Sequence, residues 1–352
     1  MHVALVLACA ALARGSPAAA ASGSGADTLA FAPKPDATVA KSFLLRHDLV
    51  VQTMKLEGAS GTQTSQQGLE VTSEITLDVT DTYRGIEGGR PVGLRRLIRD
   101  AGLHVDQVIV GVSGERRPTT WTAASPLKSA SVVFVWVPEE RGYGRHYDEK
   151  EGLEEYLGGL REDLDLRALL PAPGGEPVAP GATWKIDPQS LADVFAAGGD
   201  VPRVFTQGGG GFLAKPIASG VAGPLAPVLG GTLQGEASAT WKETREENGV
   251  RLAVIELEAR VETKHDQTDF ARSARRTEEL LDDVAIARAS VEWKFDGRGT
   301  LLWNLSAGRF QALTLDGREE VTSDIAFGTE TETESRQVLT LVGALKVTAK
   351  VD

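Results

Sequence analysis

The side chains best suited to chemistry are thinly spread along this chain. Its five histidines are His2, His47, His104, His146 and His265, and no two stand at a metal-ligand spacing. The richest local clusters are His146-Tyr147-Asp148-Glu149, and His265-Asp266 followed by Asp269. A tetrahedral zinc site needs about four ligands, so either cluster would have to borrow donors from elsewhere, and a surface loop is the competing reading. Gly208 to Gly211, followed by Phe212, offers consecutive backbone N–H groups of the kind that cradle phosphate. The end of that run defeats the reading: Lys215 precedes Pro216 where a phosphate loop needs Ser or Thr, and no strand-to-helix step surrounds it. No Gly-x-Ser-x-Gly elbow and no His-Glu-x-x-His helix is present, and Cys9 is the sole cysteine. Carboxylates are plentiful, so a glycosidase-type pair, which is defined by separation in space, stays open. So does a serine site that assembles only in three dimensions. No cofactor motif is found, and the expected number of cofactors and metal sites is none.

Aromatic residues offer a different chemistry, that of apolar contact. The six tryptophans occur singly on extended segments. Trp293 and Trp303 share the apolar parity of neighbouring strands, so packing in a core is one reading. The other is a curved antiparallel sheet whose Trp293, Phe295, Leu301, Trp303 and Leu305 line a hollow for an acyl chain or another apolar ligand.

The N-terminus bears on where such a ligand would be met. His2 to Leu12 is a short apolar run, followed by Pro17 and Ala18 to Ala21. A membrane-spanning helix needs about 20 apolar residues, so the run reads as an export signal, residues 1–21, with cleavage near Ala20 or Ala21. The location expected is periplasmic or extracellular. Val6-Leu7-Ala8-Cys9 loosely matches the box before a lipidated cysteine, which makes Cys9 the candidate for lipidation and a lipid anchor. The mature chain would then hold no disulfide. No later segment reaches spanning length, so no integral membrane segment is expected. With 37 basic and 49 acidic residues the net charge is −12, which argues against a nucleic-acid partner.

The elements that must position these residues are mainly strands. Residues 22–37 are rich in Ala, Gly, Ser and Pro and read as a flexible leader. Residues 38–170 form a mainly β half: Leu69, Val71, Ile75, Leu77 and Val79 alternate with polar neighbours, and Val105 to Val112 and Ala130 to Val137 are further strands. That half closes with an amphipathic helix carrying Leu153, Tyr156, Leu157, Leu160, Leu164 and Leu169, with Gly158-Gly159 as a weak point. Residues 171–181 form a Pro-rich connector. Residues 182–352 form an antiparallel β half, beginning with a strand to Ile186 and a short helix capped by Asp187-Pro188. Asn248-Gly249 predicts a hairpin turn. Further turns are expected at Asp296 to Gly299, at Ala307-Gly308 and at Asp316-Gly317, and a last strand from Gln337 to Val347. Residues 271–289 fit a helical turn or an extended excursion equally well. The fold class expected is α+β, predominantly antiparallel β, with one or two large curved sheets or an open barrel and a few short helices.

Two short motifs carry a resemblance. Gly181-Ala182-Thr183-Trp184, placed after Leu169-Leu170-Pro171, and Gly299 to Arg309 are similar to a pattern in uncharacterised extracytoplasmic proteins of planctomycetes and myxobacteria. More distantly, the strand-rich layout resembles periplasmic carriers of lipoproteins or lipids, although fold analogy does not fix function. The function expected is that of a non-catalytic exported protein that binds an apolar or lipidic ligand, or a cell-envelope component, on a concave β-sheet face. The alternatives are a structural or protein-interaction module of the envelope, with an envelope protein as partner, and a hydrolase with a spatially assembled carboxylate site.

Overall fold

A computed structural model describes residues 29–65, 67–149, 152–172, 178–207, 226–269, 271–272, 285–328 and 333–352. The strands of the first half are β1 (Thr38–Gly58), β2 (Gly61–Thr64), β3 (Gly68–Tyr83), β4 (Ile86–Glu87), β5 (Arg90–Pro91), β6 (Gly93–Val110), β7 (Arg116–Ala124), β8 (Ser131–Val137) and β9 (Gly142–Tyr147). Those of the second are β10 (Thr183–Ile186), β11 (Val204–Gln207), β12 (Gln234–Glu247), β13 (Val250–Asp266), β14 (Ile286–Asn304), β15 (Arg309–Gly328) and β16 (Thr333–Val351). Two short helices, α1 (Ala192–Phe195) and α2 (Ala226–Gly230), complete the set. All strands but β4 and β5 join one 14-stranded antiparallel sheet, whose main path runs β10-β12-β13-β14-β15-β16-β1-β3-β6-β7-β11. The fold is therefore predominantly antiparallel β with few short helices. Both halves of the chain belong to the same sheet, because β1 pairs with β16.

Alternating hydropathy makes this sheet two-faced. One register row crosses it from β12 to β6 through Trp241, Ile255, Leu301, Leu313, Ala349, Phe43, Leu77 and Ala101, every one buried. A neighbouring outward row runs Glu258, Arg298, Asp316, Lys346, Arg46, Glu74 and His104. Cross-strand pairs of opposite charge stabilise such rows. Where the like charges Arg46 and Lys346 meet, each has an acid on its other side: Glu74 at 2.8 Å and Asp316 at 3.7 Å.

The Asn248-Gly249 hairpin is present, with Asn248 at φ 51° and Gly249 at φ 78°. The turns expected at Asp296 to Gly299 and at Asp316-Gly317 are absent: β14 and β15 run straight through them, and Gly297 stands opposite Gly317. These glycines serve close packing. The Phe295 ring lies over both, and a Cβ at Gly317 would come 2.5 Å from it.

The amphipathic helix expected over 153–169 is also corrected. That segment holds two single turns of 3₁₀ helix, Glu154–Tyr156 and Arg167–Leu169, with irregular backbone between. At Gly159 the chain passes so close to Asp200 that a Cβ would lie 2.6 Å from it, and Leu160 bridges Gly199 across the gap. Leu153 is exposed, but the other leucines are buried because the segment lies on the inner face of the sheet: Leu157, Leu160, Leu164, Leu166 and Leu169 join the main core with Leu191, Val194 and Phe195. We call residues 153–172 and 187–201 the cover.

The expected flexible leader is packed over its described part: Leu29 and Phe31 are buried, and Ala32 and Asp36 donate backbone bonds to Gly308 and Tyr83. Asp187 caps the short helical segment as expected, accepting from the Gln189 N–H. The export segment with Cys9, the Gly208 to Gly211 run, and residues 173–177 of the connector lie outside the described residues. So does most of 271–289, of which Ile286 onward is strand β14.

Candidate functional site

The inner face carries three arrangements. The first is aromatic. Trp293 and Phe295 project from alternate positions of β14, their rings parallel within 4° and 6.0 Å apart, and Phe195 of α1 meets both edge-on at 5.0 Å. Of the sequence-predicted ligand residues, Trp293, Phe295, Leu301 and Trp303 are 0–1 % exposed and Leu305 is half-buried. The structure puts the first four in the packed core with Leu305 against it, and of the five Phe295 also borders an open depression of about 570 Å³.

The second is ionic. Lys41 of β1 donates to Asp81 of β3 at 2.8 Å and to Asp165 of the cover at 2.6 Å. Arg96 of β6 grips Asp81 with two bonds and also donates to the Arg161 and Glu162 carbonyls. Tyr83 donates to Asp165 at 2.5 Å. Burial pushes Asp81 upward, but Arg96 and Lys41 outweigh it and hold its carboxyl below the ordinary range. Burial, followed by Asp165 and Asp81, raises the Tyr83 hydroxyl well above its usual value, so it stays a neutral donor. Two cations and two carboxylates balance, which lets charge persist in an apolar interior. This cluster fastens the cover to the sheet.

The third is polar. Glu319 of β15 reaches diagonally over β16, past its register partner Gly343, and accepts from His47 Nδ1 of β1 at 2.8 Å and from Trp293 Nε1 at 3.1 Å. Both Glu319 and His47 are 1 % exposed.

Beyond the cover, the inner face continues as an aliphatic strip. Val51, Leu69, Val71, Leu339 and Leu341 share the inward parity of Leu49 and are half-buried. The outward face has an open depression of about 850 Å³ lined by Lys185, Glu258, Arg260, Asp296, Arg298 and Asp316, a charged surface unlike an apolar pocket.

The histidine clusters are held by other partners. Asp148 and Glu149 face Arg95 at 2.5 and 3.4 Å, and Asp266 accepts from the Thr268 N–H. Among the described residues no group of three or more His, Cys, Asp or Glu is placed to hold a metal, and no helix is long and apolar enough to cross a membrane.

Sequence reasoning missed Lys41, His47, Asp81, Arg96, Asp165 and Glu319. The signal was a break in parity: Lys41 falls between Val39 and Phe43, His47 between Leu45 and Leu49, and Asp81 between Val79 and Tyr83, all at inward positions. The first resemblance motif closes on itself, as Trp184 Nε1 donates to the carbonyl of Leu169 in the step that precedes it, at 3.0 Å. No protein-family model matches the chain, and no curated protein is similar to it.

Proposed function

We propose that this is an exported, non-catalytic protein that binds an apolar or lipidic ligand on the inner face of its sheet. The observation that carries the reading is the aliphatic strip of Val51, Leu69, Val71, Leu339 and Leu341, half-buried throughout, of which Val71 and Leu341 pack against the core. Apolar area removed from water there would contribute about 25 cal/mol per Å², with no bond chemistry. Export rests on the apolar N-terminal run, and the resemblance to uncharacterised extracytoplasmic bacterial proteins belongs to the same proposal.

The test is native mass spectrometry of protein purified from its own envelope, before and after delipidation, with mass analysis of the N-terminus. A co-purified apolar species that delipidation removes supports the reading. Its absence, together with failure to bind a neutral apolar fluorophore, sinks it. A second reading, a structural or interaction module of the envelope, is favoured by the aromatic cluster, since Trp293 and Phe295 are filled over by Phe195.

A further inference from the structure

At the inner end of the aliphatic strip two polar atoms stand buried without a use. Glu319 faces His47 Nδ1 at 2.8 Å, and the tautomer that donates from Nδ1 presents Nε2 as an acceptor. That Nε2 is buried and has no hydrogen-bond partner among the described residues. Ser73 stands directly across from His47 on β3, is 0 % exposed, and its Oγ likewise has no partner. A buried polar group left unsatisfied costs about 1–3 kcal/mol, and here two such groups occupy paired positions on neighbouring strands.

We infer that His47 and Ser73 form a polar anchor for the hydroxyl end of an alcohol-bearing apolar ligand, with Glu319 as the positioning residue. The inference rests on the apolar-ligand reading and names the ligand class. An alcohol both donates and accepts: its O–H can donate to Nε2 while its oxygen accepts from Ser73. A carboxylate only accepts, and it would meet an acceptor nitrogen beside the Glu319 charge. The next inward rows along the strands are Leu49 with Val71, then Val51 with Leu341. At about 3.4 Å per residue, His47 to Val51 spans about 14 Å, the reach of a medium-length alkyl tail laid along the strip.

The experiment is displacement of N-phenylnaphthylamine from the full chain by decanol, decane and decanoate. The expected result is that decanol binds about tenfold more tightly than decane, the worth of a hydrogen bond made to a buried orphan, with decanoate weakest. Ser73→Ala and His47→Phe should each erase the preference for decanol while the fluorophore still binds. Ser73→Ala removes an unsatisfied group and should fold at least as well as the parent, so the test survives if His47→Phe does not fold. Fluorophore binding with equal affinity for decanol and decane, or a preference that survives Ser73→Ala, overturns the anchor alone. No fluorophore binding overturns the anchor and the apolar-ligand reading together.

Discussion

Lys41 and Asp165 lie 124 positions apart in sequence and 2.6 Å apart in space, and neither is more than 1 % exposed. This contact ties the cover to the middle of the sheet. Removing one partner of a buried ion pair costs about 3–5 kcal/mol, because the charge left behind has no water to turn to. Lys41→Met leaves Asp81 to Arg96 alone and Asp165 with the neutral Tyr83 hydroxyl but no cation from the sheet, and should lower unfolding stability in urea by that amount. A loss below about 1 kcal/mol, the size typical of exposed pairs, would show that the cluster does not fasten the cover.

Asp193 of α1 predicts a pH dependence. Burial, aided by the nearby Asp163, raises its carboxyl to about 6 despite the Arg161 guanidinium at 3.0 Å. A raised folded value means that protonation favours the fold. The extra stability is complete below the unfolded value of about 4 and is lost as pH rises through about 6, at most about 3 kcal/mol for this group. Asp81, held low, acts in the opposite sense, its contribution fading only as the medium becomes more acid. Urea midpoints measured between pH 4 and 7 should therefore fall less steeply with rising pH in Asp193→Asn than in the parent. Identical slopes would contradict the assignment.

Phe195 is the one ring of α1 that reaches both Trp293 and Phe295. Phe195→Ala should cost about 3–5 kcal/mol and move tryptophan emission to longer wavelength as water reaches Trp293. Lost stability with unchanged emission would mean that the cover closes over the gap.

Gly317 makes room for the Phe295 ring. Gly317→Ala should destabilise by about 1–3 kcal/mol through overpacking, although alanine ordinarily suits a strand better than glycine. Thermal melts of this variant beside Gly249→Ala, at a turn with φ 78° where a Cβ would meet no atom within 4 Å, separate crowding from backbone strain.

Parity made much of the sheet readable. The inward residues of β3, and Trp293, Phe295 and Leu301 of β14, follow a strict period of two, and that period sets which face meets the core. Gly297 and Gly317 misled because local sequence does not distinguish a glycine that turns the chain from one that admits a ring from two residues away. The leucines of 153–169 have helical spacing but lie on a sheet, where burial is decided by the surface beneath them. His47, Ser73 and Glu319 could not be joined from sequence at all: they meet across four strands drawn from both ends of the chain.

The pairing of β1 with β16 bears on biosynthesis. These strands are hydrogen-bonded along nearly their whole length, from Lys41 with Val351 to Gly58 with Ser335. The inner edge of β1 therefore has no partner until translation reaches the far end of the chain. Such non-local closure folds slowly. A nascent chain held open in this way leaves the apolar row of β1 waiting on residues made at least about 280 positions later.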